Sequence, residues 1–131
     1  MQGKKKTIIW WAFWIAVIIL LLLAHRRYRL GYIQSGSMRP ALEIGSVIVV
    51  DTKAYEEETP AVGDILVYLS GSREIVNRVQ EKEDQFVITK GDNNQSEDPG
   101  PVSYSQIEGR VVLKMNWIAP LVRKIKHLEN L

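Results

Sequence analysis

The sequence predicts a mostly β protein: a single N-terminal transmembrane helix followed by a small antiparallel β-barrel or sandwich. Three observations lead there. Ile8 to Ala24 is an uncharged run of 17 residues. Five short β-branched segments follow it, separated by turn residues. The charge is split between the two parts: residues 1–29 hold six basic side chains and no acid (+6), whereas residues 30–131 hold 11 basic and 15 acidic ones (−4). A nucleic-acid-binding domain carries its basic surplus on the folded part, so nucleic acid is not an expected partner. The absence of Cys excludes a disulfide framework, a thiolate metal site and a cysteine nucleophile.

The apolar run spans roughly 25 Å as a helix, the short end of what crosses a bilayer. Trp10, Trp11 and Trp14 stand near its start, where an interfacial aromatic belt lies. A cleaved secretory signal peptide has a similar basic-then-apolar pattern. Here Leu23-Ala24-His25-Arg26-Arg27 offers no Ala-x-Ala site, and dense positive charge follows the apolar core, so an uncleaved anchor is expected. Three Lys precede the run and three Arg follow it, so the positive-inside rule nearly cancels and does not orient it.

Residues 46–51, 65–69, 74–80, 86–90 and 109–114 read as strands. Ser70-Gly71-Ser72 and residues 81–85 read as hairpin loops. Residues 91–100 form a polar loop without periodicity, and Glu56-Glu57-Glu58 a solvated loop face. From Trp117 onward, Ile118, Leu121, Val122, Ile125 and Leu128 fall at helical spacing among Arg123, Lys124, Lys126 and His127. This basic amphipathic helix either lies on a membrane surface or caps the β domain. The expected divisions are 1–29 anchor, 30–116 β domain and 117–131 helix.

His25 and His127 have no metal-ligand spacing to a carboxylate, and no glycine-rich loop has phosphate-binding spacing. The informative stretch is Gln34 to Pro40, close behind the anchor. Taken with later segments it resembles the type I signal peptidases (serine peptidase family S26), membrane-bound proteases that remove signal peptides. Ser35-Gly36-Ser37-Met38-Arg39-Pro40 matches their Ser-x-Ser-Met-x-Pro box. Gly63-Asp64-Ile65-Leu66-Val67-Tyr68 matches a core strand, and Ile75-Val76-Asn77-Arg78-Val79 the strand carrying the catalytic base. Lys90-Gly91-Asp92-Asn93-Asn94 with Ser96-Glu97-Asp98 matches the Gly-Asp-Asn loop. The spelling and short length look like the endoplasmic-reticulum-type branch, also found in archaea and some Gram-positive bacteria.

The resemblance implies Ser37 as nucleophile, Ser35 as oxyanion donor and Asp98 as the carboxylate behind the base. Met38, Pro40, Arg78, Gly91 and Asp92 take supporting positions. It implies acyl transfer without metal or cofactor. The implied partners are secretory preproteins with Ala-x-Ala-type cleavage sites, the lipid bilayer and accessory membrane subunits. It places the protein in the cell membrane as a single-pass chain, with a cytoplasmic N-terminus and an extracytoplasmic catalytic face near the bilayer, the residues around Met38 and Leu42 facing lipid.

One position departs from the pattern. Most of the family has Lys at the base and the endoplasmic-reticulum-type branch has His; this chain has Asn77. An amide oxygen accepts a hydrogen bond but not a proton, and losing the base of a serine–base pair typically costs on the order of 10⁴–10⁶ in rate. Three explanations stand side by side: a His→Asn alteration of an otherwise intact site; a natural non-catalytic homologue that binds extended peptides or assists envelope or pilus assembly; or a base supplied by Lys53 or Lys90.

Overall fold

The computed structural model describes residues 1–129; of the expected 117–131 helix, Asn130, Leu131 and the Leu128 side chain lie outside the described part. Helix α1 runs Gln2–Arg27 and has no buried residue. Its apolar side chains, from Ile8 to Leu23, stand exposed all round the helix, an arrangement that needs an apolar solvent. It is the one described helix long and apolar enough to cross a membrane. Near its start Trp10 and Trp14 meet edge to face at 5.9 Å. His25, Arg26 and Arg27 occupy the last turn, where cations complement the helix dipole. The helix stops without a linker: Tyr28 is already extended, and its N–H bonds to the Ala24 carbonyl.

Seven strands follow: β1 Tyr28–Tyr32, β2 Val47–Asp51, β3 Ile65–Ser70, β4 Arg73–Lys82, β5 Phe86–Lys90, β6 Val102–Ser103 and β7 Ile107–Met115. They form one antiparallel sheet in the order β1-β2-β7-β3-β4-β5-β6. All five expected strands are present. The extra β1 and β6 lack β-branched runs, and their pairing partners decide them. Gly71 takes φ +63° in the two-residue β3–β4 turn, a conformation open to glycine at little cost.

The sheet buries apolar side chains in two clusters. One gathers Ile33, Met38, Leu42, Ile48, Val50 and Val67; the other Leu66, Tyr68, Val79, Val87 and Val102. Alternation along β3 explains the split, since Val67 faces one cluster while Leu66 and Tyr68 face the other. Met38 is 1% exposed and Leu42 0%. The expectation that they face lipid is therefore overturned: the 33–46 loop folds inward and uses them as core, because a loop of that length is held by burying its few large side chains.

The apolar surface lies elsewhere. On the outer face, Leu30 of β1, Val49 of β2 and Leu113 of β7 stand in one cross-strand row, and Leu30 and Leu113 are well exposed. A 3₁₀ turn, Asn116–Ile118, leads into α2, Ala119–Glu129. Ala119 is buried and Arg123 Nη1 donates to the Ile44 carbonyl at 3.2 Å, so one side of α2 caps the domain. Trp117, Leu121 and Ile125 are exposed on the other side.

Candidate active site

The strand register assembles the site. Residues 78–82 of β4 pair with β5, and Arg78 sits opposite Lys90. The antiparallel run then brings the next residue of the chain, Gly91, to the level of Asn77. Gly91 lies so close to the Ser37 carbonyl that a Cβ there would stand 2.6 Å from it. The Asn93 N–H donates to that same carbonyl at 2.8 Å, and Asn93 Nδ2 donates to the Gly36 carbonyl at 3.2 Å. The Asp92 N–H points at the Met38 sulfur at 3.4 Å. The Gly91–Asn94 turn thus grips the serine loop, which shares one cleft with residues 73–76 of β4.

That turn is itself braced. Arg78 makes a bidentate pair with Asp92, 2.9 Å on each arm, and donates through Nη1 to the Gly63 carbonyl at 2.8 Å. The Arg78 hydrogen bond holds the Asp92 carboxyl below its ordinary range, and the same bond from the Asp92 side raises Arg78. A fork-to-fork pair specifies angle as well as distance, so it sets the aim of the turn.

At the tip of the gripped loop, Ser35 Oγ and Ser37 Oγ are 3.2 Å apart. Asn77, 3% exposed, donates from Nδ2 to Asp98 Oδ2 at 2.5 Å. The same carboxylate oxygen accepts from Thr89 Oγ1 at 2.7 Å and from the Tyr68 hydroxyl at 3.2 Å. Burial is the main cause that pushes the Tyr68 phenol upward, so it stays a donor. Asn77 Oδ1 is buried without a hydrogen-bond partner. An unmet buried acceptor costs about 1–3 kcal/mol.

The structure therefore brings Ser35, Ser37, Met38, Gly91 and Asp92 together, and joins Asn77 to Asp98 in a second polar cluster with Tyr68 and Thr89. Pro40 follows in the same loop through a cis Arg39–Pro40 bond. Among the described residues neither lysine hydrogen-bonds to a serine of the loop. Lys90 Nζ donates to the Gly91 carbonyl at 3.1 Å, and its side chain alternates away from Thr89. Lys53 is exposed, next to Asp51. The sequence boxes include Tyr68 and Asn93 without a role, and Thr89 stands in a strand; their phenol, amide and hydroxyl acquire meaning only through neighbours that the fold supplies.

A cleft of about 600 Å³ opens beside the serines, lined among others by Tyr32, Gln34, Ser35, Ser37, Glu74 and Val76. Residues Arg73 to Asn77 of β4 pair with β3 on one side only, because β5 joins at Arg78. One wall of the cleft is consequently an open strand edge. Across it, Arg29 on β1 reaches Glu74 on β4 at 2.8 Å. The sheet curls so that these two strands face each other without backbone pairing.

The sequence of this chain has known relatives. The chain is 35% identical over 85 residues to the signal peptidase complex catalytic subunit SEC11 of Candida albicans (strain SC5314), covering 60% of this chain and 49% of that protein. It is 34% identical over 88 residues to the SEC11 subunit of Ogataea parapolymorpha, covering 55% and 48%, and 35% identical over 85 residues to that of Clavispora lusitaniae, covering 60% and 49%. The chain thus spans about half the length of these curated relatives. Such relatives agree with the endoplasmic-reticulum-type spelling of the motifs. The family described as signal peptidase, peptidase S26, matches residues 6–80, more than half of the chain, with the serine loop and the base strand inside the match. The chain belongs to the peptidase S26 family of signal peptidases.

Proposed function

We propose that this chain is a membrane-anchored serine endopeptidase of signal peptidase I type, with Ser37 as nucleophile and a turnover throttled by Asn77. The observation that carries the reading is the pair of hydroxyls, Ser35 and Ser37, 3.2 Å apart at a cleft walled by an unpaired strand edge. An extended peptide adds to such an edge through its backbone. The substrate is a secretory preprotein with small residues, Ala-x-Ala, before the cut.

Ser37 Oγ attacks the scissile carbonyl, and the oxyanion rests on the Ser37 N–H and the Ser35 hydroxyl. The Ser37 proton passes to a base and then to the departing amine, leaving an ester. Water, deprotonated in the same way, hydrolyses the ester and returns the proton to Ser37. Position 77 is where that proton has to reside. Asn77 cannot hold it. A His at that position would meet Asp98 directly, and the carboxylate would stabilise its charged form.

The test is Asn77→His, assayed in detergent on a preprotein beside the parent chain. A large gain in cleavage that Ser37→Ala abolishes supports the reading. Equal activity in both sinks the missing-base argument. A second reading is a non-catalytic homologue that binds peptides or assists envelope or pilus assembly. The Asn77–Asp98 hydrogen bond favours it, since it satisfies the carboxylate with no titrating group. Binding of an Ala-x-Ala peptide with no cleavage by either protein selects that alternative.

The proposed location is the cell membrane, single-pass, with the β domain extracytoplasmic and accessory membrane subunits as partners. The exposed Trp117, Leu121, Ile125, Leu30 and Leu113 suit contact with lipid next to the anchor.

A further inference from the structure

The join between α1 and the β domain carries a complete set of polar contacts that the catalytic reading leaves unused. Arg27, the last residue of α1, donates from Nε to Asp51 Oδ1 at 3.0 Å and from Nη2 to Asp51 Oδ2 at 2.9 Å. The Asp51 side chain is 4% exposed, and the Lys53 N–H also donates to its Oδ1. The Arg27 carbonyl, at the helix end where carbonyls go unpaired, accepts from the Thr52 N–H at 2.9 Å and from Thr52 Oγ1 at 2.8 Å. Tyr28 starts β1 in register opposite Asp51, with no linker residue between helix and strand.

A membrane anchor that only tethers its domain can do so through a flexible linker. This one is built as a rigid corner. Asp51 projects on the outer face that also bears Val49 and Leu30, so α1 leaves the domain on the side of the exposed apolar row. The serine loop begins at Gln34, two residues beyond β1, and Ile33 is tied back to Ser46 at the start of β2. The path from Arg27 to Ile33 therefore runs through paired backbone, and Ser37, four residues further on, is held through its carbonyl by the Asn93 N–H.

We propose that Arg27, Asp51 and Thr52 form a positioning clamp that holds the Ser37 cleft at a fixed height and tilt relative to the anchor, and so relative to the bilayer. Resting on the function proposed above, the consequence is a choice of bond: a membrane-embedded substrate presents one peptide bond at that height, and the clamp keeps the cut there. These are positioning residues; none touches the cleft.

The chain lacks Cys, so paired spin labels can be introduced cleanly. Labels at Ile19→Cys and Ser72→Cys in bilayer nanodiscs report the anchor–domain distance, and labels at Ser72→Cys and Gln95→Cys report the domain alone. The parent is expected to give a narrow distribution for both pairs. Asp51→Asn with Thr52→Val is expected to at least double the width of the first and leave the second unchanged. If both broaden, the exchange Arg27→Asp with Asp51→Arg decides: it restores the narrow first distribution if the pair is the clamp, and failure to restore it overturns the proposal. An unchanged first distribution in the Asp51→Asn/Thr52→Val variant also overturns it. In the Asn77→His background, the intact clamp is expected to give one cleavage product and the released clamp products cut at neighbouring bonds. A single product despite broadened distances overturns the choice of bond. Absence of cleavage with the clamp intact counts against the catalytic reading, and the distances then judge the clamp alone.

Discussion

Two aspartates invite comparison. Asp51, at the anchor junction, is held by a guanidinium, so its charge is neutralised where it sits. Asp98, in the 91–100 loop, is held by three neutral donors, Asn77, Thr89 and Tyr68, and no cation among the described residues pairs with it. The Arg27 hydrogen bonds draw the Asp51 carboxyl below its ordinary value, against the opposing effect of its burial. The first arrangement locks two elements together. The second gathers three neutral donors on one carboxylate oxygen, with the Asn77 amide oxygen beside it buried and without a partner among the described residues. The first cluster is complete in itself; on the function proposed above, the second awaits a group at position 77 that can carry a proton.

The sharpest way to break this contrast is Asn77→His. We expect cleavage to rise by about 10⁴-fold, or about 5 kcal/mol of barrier, read as kcat/KM on a preprotein. A smaller effect comes from Asp98→Asn in that background. Removing the charge behind the imidazole is expected to lower kcat by about 10³-fold with little change in peptide affinity. An unchanged rate would take Asp98 out of the site.

At the other aspartate the effect falls on stability. Arg27→Ala strands the nearly buried Asp51 carboxylate and is expected to lower the denaturant midpoint of unfolding measurably. Arg27→Lys should recover part of it, since a point charge replaces a fork. A loss no larger than that of an exposed ion pair would mean that Asp51 is satisfied without the anchor.

The smallest effect is on pH dependence. Asp51 and Asp92 have lowered carboxyl values, each with an arginine hydrogen bond as the leading cause. Their contribution is present above the unfolded carboxylate value of about 3.9 and disappears as pH falls through the lower folded values. Thermal melts should be flat from neutral pH to about pH 5 and fall below about pH 4. Asp92→Asn should remove about 1 kcal/mol of that acid loss, with the Arg78 partner still partly solvated.

Much of this was legible in the chain. The uncharged run and its flanks specify a helix that only an apolar solvent satisfies, because hydropathy and length are local properties. The five β-branched runs, the Ser70–Ser72 turn and the boxes around Ser37, Asn77 and Asp98 are likewise local. What a box cannot state is which side chains meet across strands. Tyr68 and Thr89 join Asp98 only because β3, β4 and β5 stand side by side. Met38 and Leu42 were expected at the lipid and lie in the core. Apolarity alone does not say which way a loop folds. The Arg27–Asp51 pair spans 24 positions and has no sequence signature at all.

The sequence by itself determined the apolar helix, the β character, the serine pair and the Asn at position 77, because each is written in neighbouring residues. Only the tertiary structure decided that Asp98 faces Asn77, that β4 leaves an open edge beside Ser37, and that the anchor meets the domain as a rigid corner. Those depend on strand register and long-range packing, which contacts distant in the chain settle together.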